Sequence, residues 1–149
     1  MEATQLGGVT NTDRLTTASV GKNARLIIKE KLMTSGDERA VSRFRVKLIG
    51  ENSSVDVVSR SVARDRSYQA FVSDVIGKNR CFGHVECDGI LLDEARIVST
   101  PKIDAVSPEA SLVHEAAVGK IAGEQLIKLM TLGLTEKEAE DTIIKGFLY

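Results

Sequence analysis

Two thiols, two imidazoles and a carboxylate with metal-binding or nucleophilic chemistry fall between residues 81 and 115. Cys81, His84 and Cys87 are spaced by three residues, and His114 and Glu115 are neighbours. Thiolate sulfur and imidazole are good ligands for iron and zinc. The Cys81, His84, Cys87 spacing is not that of a zinc finger. In an extended strand Cys81 and Cys87 lie about 20 Å apart, so a disulfide between them requires a turn, for which Gly83 is the candidate. Adjacent strand residues point to opposite faces, so His114 and Glu115 do not readily serve one metal from one chain. Two chains, each offering one of them, can.

The elements that must position these groups are strands first and helices second. Residues before Pro101 are rich in Val, Ile, Ser, Arg and Gly; those after Pro108 are rich in Ala, Leu, Glu and Lys. The segment from Pro101 to Pro108 therefore reads as a linker, dividing a region 1–106 from a helical region 107–149. The first region repeats. Gly21-Lys22-Asn23, Gly50-Glu51-Asn52 and Gly77-Lys78-Asn79 recur at spacings of 29 and 27 residues. Leu15, Phe44 and Phe71 stand six positions before each Gly, Val20, Ile49 and Ile76 one before, and Leu26, Val55 and Phe82 five after. Gly and Asn tolerate the left-handed backbone of a sharp turn. A plan of strand, Gly-x-Asn turn and strand, repeated with matching apolar columns, predicts a β-solenoid. An antiparallel sandwich is the alternative.

In that alignment Cys87 falls with Lys31 and Arg60, an exposed position where nearby cations would lower a thiol's pKa. Cys81 falls with Arg25 and Ser54, facing outward. His84 falls with Ile28 and Val57, an apolar inward column, and reads as a core histidine. In the helical region Leu126, Leu129 and Met130 share one face, and Gly133 stops that helix. Thr135 and Glu138 have capping-box spacing, and Ala139, Ile143 and Phe147 form the expected buried stripe of a second helix.

Composition narrows the function. Lys and Arg total 20 against 21 Asp and Glu, for a net charge of −1. That balance argues against nucleic-acid binding, which rests on releasing counterions at a basic surface. No apolar run approaches the length of a membrane helix, and no secretory signal is evident, so the expected compartment is cytoplasmic. Two cysteines do not make a disulfide framework. There is no Gly-x-Ser-x-Gly elbow, Walker A loop or Rossmann fingerprint, so a stand-alone enzyme is not expected. Four Phe and two Tyr are few for the sugar-stacking clefts of carbohydrate-active solenoids.

The segment from Val113 to Ile121, reading Val-His-Glu-Ala-Ala-Val-Gly-Lys-Ile, resembles the His-Glu-Ala-Ser-Val-Gly-Lys-Ile stretch of the SufB/SufD family of iron–sulfur cluster assembly scaffolds. The resemblance continues through Glu124-Gln125-Leu126, Gly133-Leu134-Thr135, Glu138-Ala139 and Gly146-Phe147. Upstream it includes Gly21-Lys22-Asn23-Ala24 and the run from Val85 to Ile90. It implies a right-handed parallel β-helix followed by a small α-helical hairpin. It also implies three kinds of partner: a SufC-type ABC ATPase on the helices, a SufB/SufD-type paralogue or a second copy on the β-helix, and a cysteine desulfurase system supplying sulfur. Relative to that family the chain is short, without its N-terminal helical region or N-terminal cysteine cluster. Lys128-Leu129-Met130-Thr131-Leu132-Gly133 stands where the family usually reads Tyr-Leu-x-Ser-Arg-Gly, so the family's Arg is absent.

The same resemblance assigns expected roles. Cys87 resembles the SufB cysteine that receives sulfur and helps hold the cluster; the alternative is a small buried filler. Glu115 resembles the glutamate that completes that site, or is a surface carboxylate. His114 falls where SufD-type subunits carry a functional interface histidine, with or without metal. Leu126, Leu129, Met130 and Leu134 are the expected partner-binding residues. The functional expectation is a scaffold that transiently holds an iron–sulfur cluster. The alternative is a dimerisation and ATPase-docking module that holds none.

Overall fold

The computed structural model describes residues 1–149. Its elements are β1 (Glu2–Leu6), β2 (Asn11–Val20), β3 (Arg25–Thr34), β4 (Arg39–Leu48), β5 (Ser53–Ala63), β6 (Tyr68–Gly77), β7 (Cys81–Leu91), β8 (Arg96–Ala105), β9 (Ala110–Lys120), α1 (Gly123–Thr131) and α2 (Glu136–Leu148). Odd-numbered strands form one sheet in the order β1-β3-β5-β7-β9, and even-numbered strands a second in the order β2-β4-β6-β8. All seven pairings are parallel. The chain thus alternates between two sheets and climbs one coil per strand pair, a β-solenoid of about four turns. The antiparallel sandwich is excluded.

The corners are set by residues that accept a left-handed backbone. Asn23 and Asn52 have φ of 57° and 56° and stack, Asn52 Nδ2 donating to Asn23 Oδ1 at 3.2 Å. At the opposite corner Gly36, Asp65 and Asp93 have φ of 57°, 58° and 54°. There the Asp65 carboxylate accepts the Gly36 N–H at 2.7 Å, and Asp93 accepts the Asp65 N–H at 3.1 Å. Asn and Asp are the non-glycine residues best suited to this conformation. Gly50 is required for a different reason: a Cβ there would lie 1.9 Å from the Lys22 nitrogen, because successive coils touch backbone to backbone.

The register corrects the columns expected from the repeat. After the first two corners the alignment holds: Leu26 lies opposite Val55, Ile28 opposite Val57 and Lys31 opposite Arg60. Elsewhere it does not. Phe44 lies opposite Thr16 and Ser73, while Leu15 lies opposite Arg43 and is 58% exposed. Phe44 and Phe71 are both buried and their rings meet at 5.5 Å, but they sit two register positions apart. Val20 pairs with Leu48 and then Gly77, leaving Ile49 exposed in the turn and Ile76 off that column. At the third corner Arg80, not Asn79, stacks on Asn52, with Nε to Oδ1 at 3.0 Å. Gly77 ends β6 rather than forming the turn. Paired strands are offset by 27, 28 or 29 residues, so one repeat frame does not hold along the chain.

The interior has an apolar end and a polar end. Ile28, Phe44, Val46, Leu48, Val55, Val57, Val75 and Val85 fill the first. At the second, Glu30 is 2% exposed; it is ion-paired with Arg14 and accepts hydrogen bonds from Ser42 and from Ser59 (2.7 Å). Beyond it Gln69 Nε2 donates to Thr34 Oγ1 at 2.8 Å, and Thr34 to Ser67 at 2.9 Å.

The segment from Pro101 to Pro108 is not a linker. Pro101 lies within β8, an edge strand, where a missing N–H is tolerated. β9 lies beyond residue 106 and belongs to the five-stranded sheet. The helical hairpin then begins at Gly123 and turns at Gly133, whose φ is 98°. Thr135 and Glu138 form the capping box. α2 lies on the outer face of the five-stranded sheet rather than over the solenoid end. Ile144 and Leu148 pack with Val62 and Leu92, and Arg64 pairs with Glu140 at 3.0 Å. Its buried stripe is Ala139, Ile144 and Leu148, with Ile143 and Phe147 half-buried beside it.

Candidate functional site

β7 and β9 position every residue singled out for chemistry, and their alternation decides which side each faces. In β7, Cys81, Gly83, Val85, Cys87 and Gly89 face inward, while Phe82, His84, Glu86 and Asp88 face outward. In β9, His114 faces inward beside Val85, and Glu115 outward beside Glu86. Adjacent residues on opposite faces are what the pleat requires.

Three expectations are therefore corrected by the one-residue slip at the third corner, which moves each side chain to the other face. Cys87 pairs with Ser59 rather than Arg60, and is 1% exposed. Burial pushes its thiol up to about 11, against a smaller lowering by a hydrogen bond to Ser99. Cys81 is also buried, and desolvation raises its pKa. The cysteines are free and not bridged. His84 lies outside the core: its Nδ1 is 3.0 Å from Asp56 Oδ1 and its Nε2 3.5 Å from Glu115 Oε2. The Asp56 hydrogen bond, with the smaller Glu115 contribution, raises its pKa.

The outer face of the last coils thus carries Asp56, His84, Glu86, Asp88 and Glu115. Glu86 and Asp88 share a hydrogen bond that raises the Glu86 pKa. On the inner face His114 is half-buried, its Nε2 has no hydrogen-bond partner, and burial lowers its pKa. Cys87 and Glu115 do not converge within one chain, because they occupy opposite faces of the sheet. No group of three or more His, Cys, Asp or Glu side chains in the chain is arranged to hold a metal ion. β9 is an edge strand, so its outer ladder of N–H and C=O groups is unpaired.

The repeat alignment misplaced His84 along with both cysteines, and Asp56 is the residue it missed. The signal was the alternation within β7 itself, where His84, Glu86 and Asp88 share one parity and the cysteines the other.

The helical hairpin offers a separate surface. α1 has no buried residue. Leu126, Leu129 and Leu134 are half-buried between the helices, while Ile127, Met130 and Leu132 are exposed, Leu132 by 77%. No helix is long and apolar enough to cross a membrane.

The fold is a parallel β-solenoid that carries a helical hairpin on the outer face of one sheet and leaves β9, with His114 and Glu115, as an edge strand. Residues 2–147 match the family described as SUF system FeS cluster assembly, SufBD core domain, and the chain belongs to that family. It is 38% identical over 130 residues to an iron–sulfur cluster assembly SufBD family protein of Methanothermobacter thermautotrophicus. It is 34% identical over 133 residues to one of Archaeoglobus fulgidus, and 30% identical over 132 residues to one of Mycobacterium tuberculosis. These alignments cover 86%, 89% and 86% of this chain but only 32%, 36% and 16% of the relatives. The chain spans about a third of the length of the archaeal relatives it matches.

Proposed function

We propose that the protein is a scaffold component of a Suf-type iron–sulfur cluster assembly system. It pairs through β9 with a SufB/SufD-type paralogue or a second copy, and docks a SufC-type ABC ATPase on α1. Iron, together with sulfur from a cysteine desulfurase system, is held transiently at the β9 interface. The observation that carries this reading is the unpaired edge of β9, which bears His114 on one face and Glu115 on the other. An unpaired ladder invites strand addition. Across a two-fold axis the same segment of each chain meets its own copy, so two chains can offer what one does not. Carboxylate and imidazole suit ferrous iron. The bare apolar residues of α1 support a partner-docking role, since nothing in the chain covers them.

Cys87 has a harder part in this scheme. Receiving sulfur requires its thiolate to attack a persulfide; the outer sulfur bonds to Cys87 and the donor leaves as a thiolate. A buried thiol with a pKa of about 11 withholds that nucleophile at neutral pH unless β9 lifts away. This burial favours the second reading, a dimerisation and ATPase-docking module that holds no cluster.

Anaerobic reconstitution with ferrous iron and sulfide separates the two, followed by absorption spectroscopy and by light scattering for oligomeric state. The scaffold reading expects a visible chromophore on a dimer, lost in Glu115→Gln or His114→Gln. A chromophore retained in both variants sinks these ligand roles, and none in the wild type favours the docking module. Binding of a SufC-type ATPase that survives Ile127→Gln with Leu132→Gln sinks the α1 surface.

A further inference from the structure

A cleft of about 300 Å³ lies between the outer face of the five-stranded sheet and the last turn of α2. Its floor is Lys29 and Lys31 of β3 with Val58 and Arg60 of β5, and its wall is Leu148 and Tyr149. Lys31 and Arg60 are directly opposite in the ladder, an arrangement of like charges that is destabilising by itself. Four other arginines on the coil faces are neutralised: Arg43, Arg45, Arg66 and Arg80 each lie within 3.5 Å of a carboxylate. Lys29 lies opposite Glu2 and Arg60 opposite Asp88 in the ladders, but neither of them nor Lys31 comes within ion-pair distance of a carboxylate.

Two of the three cations are nevertheless held in place. Arg60 donates through Nη1 to the Phe147 carbonyl at 3.2 Å, and its Nε is buried without a partner. The Lys31 ammonium sits 4.1 Å from the centre of the Tyr149 ring. Two carboxylates also border the cleft, Glu2 and Glu86. The neighbouring Asp88 raises the pKa of Glu86, and Arg60 acts on it in the opposite direction. Glu30 borders the cleft from beneath, but its carboxylate is bound inside the core by Arg14, Ser42 and Ser59.

We infer that this cleft is a binding site for a small oxyanion, a carboxylate or phosphate carried on a compact apolar or aromatic body. The oxyanion lies against Lys29, Lys31 and Arg60, and the body against Val58, Leu148 and Tyr149. The volume is at the lower end of small-molecule sites. Charge-assisted hydrogen bonds from the two ammonium groups and from the remaining Arg60 N–H donors supply the affinity. Because the ligand touches both the sheet and the end of α2, it fastens the helix to the solenoid. The inference is independent of β9, of any cluster and of any protein partner.

The test is a titration of the whole chain, labelled with nitrogen-15, at constant ionic strength set by chloride. The probes are inorganic phosphate, benzoate and phenyl phosphate, read by amide chemical shifts. The expected result is saturable shifts at residues 29–31, 58–60 and 148–149. Losing two charge-assisted bonds weakens binding by about tenfold or more in Lys29→Gln with Lys31→Gln. Lys47→Gln, on the other sheet, leaves it unchanged. The double variant removes a like-charge contact, so it is expected to fold; its thermal unfolding checks this. Saturation by benzoate and phenyl phosphate but not phosphate assigns the affinity to the apolar wall and the oxyanion together. Saturation by phosphate and phenyl phosphate but not benzoate assigns the ligand to the phosphate class. No saturable shift with any probe, or equal affinity in the double variant, overturns the site.

Discussion

His84 stands between two carboxylates from different coils, Asp56 at 3.0 Å and Glu115 at 3.5 Å, and both favour its charged form. Its folded pKa is therefore above the ordinary 6.5, so its contribution to stability is complete below that value and is lost as pH rises through the raised pKa. The imidazole resonances should titrate with a midpoint above 6.5, and Asp56→Asn should lower that midpoint more than Glu115→Gln. A midpoint at or below 6.5 contradicts the pairing. Cys87 makes the opposite case, a reactive atom kept out of reach. With a pKa of about 11, only about 0.1% of the thiol is ionised at pH 8 even if solvent reaches it. In the folded protein a disulfide reagent should leave Cys87 unmodified over the time it modifies an exposed thiol, and modify it at once in guanidinium. Rapid labelling of native Cys87, located by peptide mass, would restore it as a direct sulfur acceptor.

At the scale of elements, the two helices differ in what they rest on. α2 buries Ala139, Ile144 and Leu148 and closes its N-terminus with the Thr135–Glu138 box. Removing a packed isoleucine side chain leaves a cavity, so Ile144→Ala should cost about 2–4 kcal/mol in denaturant unfolding. Thr135→Ala removes an acceptor for the Glu138 N–H and should cost about 1 kcal/mol. α1 buries nothing. Substituting its exposed Ile127 should therefore change stability by less than about 0.5 kcal/mol. A large loss in Ile127→Gln would mean that α1 is held by the solenoid and is not free for a partner. The strands repeat the contrast in another form. β5 and β7 are paired on both sides and each buries core residues, whereas β9 is paired on one side and has no buried residue.

For the whole molecule, the two sheets are joined through an interior that is apolar at one end and ionic at the other. Glu30 of one sheet is bound by Arg14 and Ser42 of the other and by Ser59 of its own. Its removal leaves those donors facing a void. Arg14 retains partial access to solvent, so Glu30→Ala should cost about 2–3 kcal/mol, less than a fully buried pair. Unfolding followed by both circular dichroism and Tyr fluorescence should lose the two sheets together. Separate transitions would mean that the polar end is dispensable.

Much of this architecture could be read from the residues. The Gly-x-Asn turns and the Val and Ile content specified stacked strands, because turn chemistry and hydrophobic period are local properties, whereas the change of composition after Pro108 put the start of the helices too early, ahead of β9. The capping box and Gly133 were legible for the same reason. The facing of Cys81, His84 and Cys87 was not legible from the repeat, because β5 and β7 are offset by 28 residues where Gly50 and Gly77 are 27 apart, and a single residue of slip reverses the pleat. The alternation inside β7 carried the correct answer, but the choice between two periodic signals is made only when neighbouring coils stack. Pairing decides likewise that Asp56 of one coil reaches His84 of the next, and that α2 lies on the sheet's outer face. Sequence determined which conformation each segment prefers; contacts between residues some 28 positions apart decided which side chains share a face.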